Sequence, residues 1–256
     1  MQPKLTAEEM RREIERLAPF FHNVELPHGL RTFSEDLARR DIERTRIEDL
    51  KAYVWPQIVE HFGSFEGLRV LDAACNAGGF SVEAVRSGAA EVIGIDIVDE
   101  YLEQANFIKR ALELDNLSFR KQRIETLDPE EIGTFDIVFL LDVLYHFENP
   151  VMAIRSVANL SRTMLVIETR LTDPADHEHP TWLMNFLPPS TPDCEDRSTS
   201  RWRTSKMCQF TPSDAAVVAL MEYMGFSVTQ LELSAEDEAL RFPNNERLGY
   251  FVGIKE

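Results

Sequence analysis

The chain has 256 residues, 44% hydrophobic and 28% charged, enough to bury one sizeable core and in the range of globular proteins. Its formal net charge of −17 sets an acidic surface against any polyanion such as RNA, unless a basic patch stands apart from it. No apolar run approaches the roughly 20 residues of a membrane span, and the charged opening MQPKLTAEEMRREIERL has no apolar signal core, so a cytoplasmic protein without membrane contact is expected.

Apolar residues at three- and four-residue spacing predict helices over 7–18 and about 34–62, with FFHNVELPHGLRTF between them as an irregular link carrying Pro27 and Gly29. Residues 1–62 therefore read as a helical cap, which covers substrate or pairs with a second copy of the chain in a homodimer. From residue 63 the pattern changes. GLRVLDAAC is a short buried-strand run, followed at once by small residues and the helix GGFSVEAVRSG. EVIGIDIV (strand), DEYLEQANFIKRALELD (helix), LSFRKQRI (strand), the strand that opens TFDIVFLLDVLYHF, PVMAIRSVANL (helix) and RTMLVIETR (strand) continue the alternation. Such alternation implies βαβ units and an α/β fold with a parallel sheet. Residues 172–212 hold six prolines with Trp182, Phe186 and Trp202 and show little periodicity, so they read as a long loop, a functional lid or disordered, inserted in a domain spanning 63–256. Beyond it, PSDAAVVALMEYMGF predicts a helix closed by Gly225, and SVTQLELS and ERLGYFVGIK an antiparallel pair that finishes the sheet. The three cysteines, Cys75, Cys194 and Cys208, lack the spacing of a zinc site or a disulfide framework, so no metal is expected.

Ligands of open α/β sheets bind outside the carboxyl ends of the strands, where strand order reverses. The first strand ends in Asp72-Ala73-Ala74-Cys75-Asn76-Ala77-Gly78-Gly79-Phe80, whose small residues let the backbone approach a ligand. The second ends in Asp96, where a carboxylate can accept both hydroxyls of an adenosine ribose. A dinucleotide is the first rival. Its fingerprint needs glycines at three set positions, and Ala74 and Asn76 stand where glycines would be. Asp72 is also a poor neighbour for a pyrophosphate, but a tolerable one for a sulfonium cofactor that bears an amino group.

VLDAACNAGGFS, VIGIDIVDEYLEQA, LSFRKQRIETL, FDIVFLLDVLYHFENP and MLVIET occur in that order over about 66–170 and resemble the successive motifs of class I S-adenosylmethionine methyltransferases. CNxGG with VLYHFENP, preceded by FFHNVELPHGLRT, is similar to a narrower branch that contains the tRNA wobble-uridine carboxymethyltransferase and small-molecule methyltransferase relatives. The resemblance implies a Rossmann-like, doubly wound, mostly parallel seven-stranded sheet with an antiparallel carboxy-terminal strand. It also implies S-adenosyl-L-methionine as cofactor and S-adenosyl-L-homocysteine as product. Asp72 and the backbone of Ala74, Asn76 and Gly78 would line the methionine end, with Leu141 flanking it. Asp96 would hold the ribose, and Ile97 and Ile124 the two faces of adenine. Many members place an Asp near the adenine amino group where this chain has Arg123; Glu125 or a carbonyl would supply that contact.

Methyl transfer from an activated sulfonium mainly requires an acceptor in line behind the methyl group, for in-line displacement. A general base helps only where a proton must leave. Tyr145 and His146, past the fourth strand, and Glu168, at the end of the fifth, are the catalytic candidates; a structural role in the strand-to-helix turn is the alternative for His146. Candidate acceptor-binding residues are His22, Arg170, Trp182, Asn185, Arg201, Trp202 and Arg203. Tryptophans are costly to expose, and an arginine fork suits carboxylate or phosphate, so an anionic or aromatic small molecule is expected. Arg39, Arg40, Arg44 and Arg46 are interleaved with acids as on a solvated helix face, whereas Arg197, Arg201, Arg203 and Lys206 are not. A tRNA-modifying methyl- or carboxymethyltransferase, which the net charge disfavours, a non-catalytic adenosyl-binding module and, last, a nicotinamide oxidoreductase are the alternatives. The sequence does not specify the acceptor atom.

Overall fold

The structure, a computed structural model, describes residues 4–32, 50–172, 179–186, 208–231 and 247–256. The chain divides into two compact units, 1–123 and 124–256.

In the first unit, α1 (Ala7–Leu17) starts at a capping box: the Thr6 hydroxyl accepts from the Glu9 amide while the Glu9 carboxylate accepts from the Thr6 amide. β1 (Glu25–Leu26) and β2 (Leu30–Arg31) form a short antiparallel pair. The predicted helix over 34–62 is, in its described part, a π turn over Leu50–Val54 followed by a separate helix, α2 (Trp55–Phe62). Pro56 explains the restart, since a first turn is the one place where its missing N–H breaks no helical bond. β3 (Arg69–Ala73), α3 (Gly79–Arg86), β4 (Glu91–Asp96), α4 (Asp99–Leu112) and β5 (Leu117–Lys121) then build two βαβ units, with β3, β4 and β5 parallel and adjacent in that order. Val92, Ile93 and Ile95 of β4 are all buried, the near-continuous apolar run of a strand covered on both faces. α4 packs on β4 and β5 and receives α1.

In the second unit, a 3-10 turn (Ile124–Thr126) and the short α5 (Pro129–Ile132) precede β6 (Phe135–Leu141), α6 (Pro150–Leu160) and β7 (Ser161–Leu171). Side chains of Asp128, Asn149 and, further on, Ser213 cap α5, α6 and α7 (Asp214–Tyr223). β8 (Trp182–Phe186) and β9 (Cys208–Pro212) pair with each other, and β10 (Phe226–Leu231) and β11 (Arg247–Lys255) close the chain. β6 runs parallel to β7, while β11 lies between β7 and β10 and is antiparallel to both. The main sheet has seven strands; β3, β4 and β5 are parallel, and among β6, β7, β10 and β11 the one reversed strand is β11. Ile137, Val138, Phe139 and Leu140 are fully buried, each such side chain worth about 1.5–3 kcal/mol of hydrophobic stabilisation. Gly225 ends α7 in a left-handed conformation, as its position predicts.

Residues 172–212 are not structureless throughout: β8 and β9 form an antiparallel pair from Trp182 opposite Pro212 to Phe186 opposite Cys208. The odd–even placement of Trp182, Met184 and Phe186 is a period-two signal too short to stand out among prolines. Among the described residues, no helix is long and apolar enough to cross a membrane.

Candidate functional site

The turn from β3 into α3 takes its shape from three alternate residues held at positive φ: Ala74 at 64°, Asn76 at 50° and Gly78 at 78°. Ala74 and Asn76 stand where a dinucleotide fingerprint has glycines, so the left-handed geometry such glycines allow is present here in an alanine and an asparagine. Asn tolerates the left-handed region; alanine pays a steric cost of about 1–2 kcal/mol there. Ala74→Gly should therefore raise stability by about 0.5–1 kcal/mol once the extra freedom of the unfolded glycine is counted, checked by urea denaturation. A variant less stable than the parent would show that Ala74 makes a contact worth more than its strain. At Gly78 a Cβ would lie 2.5 Å from the Phe119 ring, so glycine is required there twice over, by conformation and by space.

Two carboxylates flank this turn. Asp96 closes β4 and gathers three amides: Oδ2 accepts from Asn76 N–H (2.9 Å), and Oδ1 from Ile97 N–H (2.7 Å) and Val98 N–H (2.9 Å). A carboxylate offers about four acceptor directions, so roughly one remains on Oδ2 for a ligand hydroxyl. Binding both ribose hydroxyls requires Asn76 N–H to yield or share. Burial pushes the Asp96 carboxyl above its ordinary range, against the pull of the three amides. Asp72 is 1% exposed, and its Oδ2 accepts from Ser81 Oγ at 2.5 Å. Burial raises its carboxyl to about 6 despite the hydroxyl and amide of Ser81, and the nearby Asp96 charge adds to the rise. Burial also pushes the Cys75 thiol far up, so this cysteine stays protonated and is no nucleophile.

Burial dominates both carboxylates, amides and a hydroxyl act against it, and the Asp96 charge adds to the rise at Asp72; no cation among the described residues is one of these influences. A site of this kind favours a positively charged ligand. The amino end of α3 points to the same conclusion, because two of its first-turn amides are already engaged: Ser81 N–H by Asp72 and Gly79 N–H by His22 Nδ1 at 2.9 Å. A pyrophosphate would have to displace the Asp72 carboxylate and the His22 ring to use them. The residues fit an adenosyl sulfonium with a free amino group, and Ala74, Asn76, Gly78 and Ile97 stand on the same turn-and-strand-end surface as the carboxylates.

The second unit carries the acceptor-side candidates. Tyr145, in a 3-10 turn over Leu144–His146, is buried, and its hydroxyl donates to Asp142 Oδ1 at 2.6 Å. The Arg170 guanidinium lies over the Tyr145 ring, 4.5 Å from its centre, and the His146 ring stands 4.2 Å away on a tilt. Asp142 itself holds φ at 54°, a conformation costly outside glycine, and its amide donates to Glu168 O. Tyr145, His146 and Arg170 are thus one cluster. Glu168 is 1% exposed within β7, opposite Tyr250 of β11 and Leu141 of β6. β9 packs against the Tyr145 turn and against β7.

Ile124 is buried and Glu125 half-buried in their 3-10 turn, and Leu141 is buried at the end of β6. Arg123 is exposed. Trp182 is half-buried in β8; Asn185 shares that strand, and its side chain lies outside the described residues. Arg201, Trp202 and Arg203, and both basic clusters, lie outside them as well. His22 lies in the first unit at Gly79, not in an exposed loop. Its Nδ1 is an acceptor in use, which removes that nitrogen as a base. Sequence reasoning missed Ser81 and Asp142, the partners of Asp72 and Tyr145; each is a short polar residue with no periodic signature of its own. Among the described residues no three His, Cys, Asp or Glu side chains assemble as a metal site.

A family model for methyltransferase domains matches residues 64–183. The tRNA U34 carboxymethyltransferase of Mannheimia succiniciproducens is 29% identical over 213 residues, covering 78% of this chain and 59% of that enzyme; the chain thus spans about three fifths of that relative's length. The ubiquinone biosynthesis O-methyltransferase of Neisseria meningitidis serogroup C is 27% identical over 177 residues, covering 67% of this chain and 74% of that one. Among solved structures, the N-terminal domain of EvdMO1 with S-adenosylhomocysteine bound superposes with a TM-score of 0.72 at 19% identity, over 99% of this chain and 98% of that one. Magnesium protoporphyrin IX methyltransferase (ChlM) from Synechocystis PCC 6803 with S-adenosylhomocysteine bound gives 0.61 at 18% identity, over 96% and 94%. These two likenesses establish the shared fold.

Proposed function

Because this chain belongs to the class I S-adenosylmethionine-dependent methyltransferases, we propose that it carries a methyl group from that cofactor to a small-molecule acceptor, anionic or aromatic in character, by in-line displacement. The observation that carries the reading is the pair of buried carboxylates, Asp72 and Asp96, flanking a left-handed turn beside a helix terminus with two of its first amides already taken. When bound, S-adenosylmethionine supplies a methyl group already activated by the sulfonium. The protein's own work is then to hold and aim. Asp96 receives a ribose hydroxyl; Asp72 and Asp96 together favour the positive end of the cofactor; the backbone from Ala74 to Gly78 lets it approach closely. Ile97, Ile124 and Leu141 offer apolar surface for the adenine and methionine parts, and Glu125 a half-buried acceptor.

On the acceptor side, Tyr145 donates its proton to Asp142 and is the candidate for handling the acceptor's proton. Arg170 supplies positive charge suited to a carboxylate or phosphate on the same molecule. His146 and Glu168 remain the proton-handling candidates. Trp182 and Asn185, with Arg201, Trp202 and Arg203, would complete the acceptor pocket. Residues 1–62 are proposed as a substrate-covering cap or as the surface that pairs with a second copy in a homodimer.

A second reading, modification of tRNA, is favoured by the likeness to the tRNA U34 carboxymethyltransferase and opposed by the charge of −17. Methyl-labelled S-adenosylmethionine offered with a panel of phenols and hydroxy acids, and in parallel with bulk tRNA, separates the two. Label in a small molecule is the expected result. Label in tRNA, with binding that weakens steeply between 50 and 200 mM salt, would overturn it. Cofactor binding with no turnover on any acceptor would point to a non-catalytic module.

A further inference from the structure

We infer that His22 is a positioning residue of the cofactor cradle, capping α3 from outside the helix and making the segment 17–32 part of the cofactor site. The inference rests on the adenosyl-cofactor reading above. α3 has no side-chain cap of its own, since its N-cap is Gly78 at φ 78°, ψ 21°. The first amides of a helix have no partner within it. For Gly79 the missing partner is His22 Nδ1, 2.9 Å away and buried. The seating is close. A Cβ on residue 79 would lie 2.7, 2.8 and 2.9 Å from Cγ, Cβ and Nδ1 of His22. The second glycine of the AGGF sequence is therefore needed for histidine, whereas the first is needed for the turn.

His22 is itself held in place. Its carbonyl accepts from Thr32 Oγ1 at 2.6 Å, and that hydroxyl accepts from Val24 N–H at 2.9 Å. The ring meets Phe80 edge to face, with centres 5.1 Å apart. Gln104 of α4 spends both amide hydrogens on the segment, donating to Leu17 O (2.7 Å) and Pro19 O (2.9 Å), and Arg86 of α3 donates to Glu25 O (2.8 Å). The segment 17–32 is thus tied to both helices of the cradle.

The tie bears on the ligand because Gly79 sits between two chain points that define the site. Asn76 N–H is bonded to Asp96, and Ser81 to Asp72. Fixing Gly79 fixes the run of backbone that joins the two carboxylates. Loss of the bond frees two adjacent glycines at that position, so the cost falls on cofactor affinity.

The test is titration of S-adenosylhomocysteine into wild type, His22→Leu and His22→Asn, with Gly79 amide exchange followed by NMR in each protein without ligand. Leucine removes the acceptor; asparagine can place Oδ1 where Nδ1 was. The expected result is affinity weakened about tenfold in His22→Leu and restored to within about threefold in His22→Asn, with Gly79 protection lost and regained in parallel. Should His22→Leu fail to fold, Gly79→Ala serves: it should weaken binding in wild type and add nothing in a His22→Gly background, where Cβ, Cγ and Nδ1 of residue 22 are all gone and its own Cβ has room. Wild-type affinity in His22→Leu, or additive effects in that cycle, would overturn the inference. A wild type that binds no S-adenosylhomocysteine would sink the cofactor reading instead, and Gly79 exchange would still decide whether His22 caps the helix.

Discussion

Asp96→Ala is expected to weaken S-adenosylhomocysteine binding by about 2–4 kcal/mol, roughly 30- to 1,000-fold, the range for losing one or two hydrogen bonds to a charged acceptor. The same substitution leaves Asn76, Ile97 and Val98 amides without their acceptor, so stability should fall as well. The two losses need separating. Asp96→Asn keeps one oxygen for Ile97 and Val98 but turns an NH2 towards Asn76 N–H, so its main lesion is at the ligand-facing oxygen. Calorimetric titration of both variants, with urea denaturation alongside, distinguishes the roles: a ribose contact predicts weak binding in both, and severe instability only in the alanine variant. Binding close to wild type in Asp96→Asn would remove Asp96 from the ribose and leave it as a turn anchor.

The strands were legible because each is a short apolar run bounded by turn residues, and β3 to β7 lie where that pattern put them. The ends of β3 and β4 were legible as a site because Asp72 and Asp96 are polar where the runs are apolar. What could not be read was conformation and partnership. Ala74 and Asn76 looked like departures from a glycine pattern, yet both adopt the left-handed φ that glycine would, so composition hid a geometry that was kept. His22 could be read either as entering the site or as a packed or exposed loop histidine; its partner Gly79 is 57 residues on, a separation no local pattern encodes. Pro56 signalled a break within the predicted helix over 34–62, but the apolar spacing on either side outweighed it.

Asp72→Asn is expected to make the ligand-free protein more stable at pH 7.5, even though it damages the cofactor site. In the folded chain the Asp72 carboxyl is raised to about 6 from an ordinary 3.8, with burial as the main cause. The folded state therefore holds this proton more tightly than the unfolded chain, which binds fewer protons between pH 4 and 6, so wild-type stability falls as pH rises through that window. The cost is absent below about pH 4 and fully present above about pH 6, where it amounts to roughly 3 kcal/mol. Asparagine has no charge to bury and keeps an oxygen for Ser81, so most of that cost should vanish, by about 1–3 kcal/mol at pH 7.5, with little difference from wild type at pH 4. The same charge is useful once a cation arrives: wild-type affinity for S-adenosylmethionine should rise with pH through about 6, with proton release on binding, and the asparagine variant should bind weakly with no such rise. Urea denaturation at both pH values and titration in two buffers of different ionisation enthalpy check the sign. A variant less stable than wild type at pH 7.5 would mean that the Ser81 bonds to Asp72 outweigh its desolvation. Greater stability joined to lost affinity would show that the buried carboxylate is kept, at a cost to the empty fold, for the positive charge it receives.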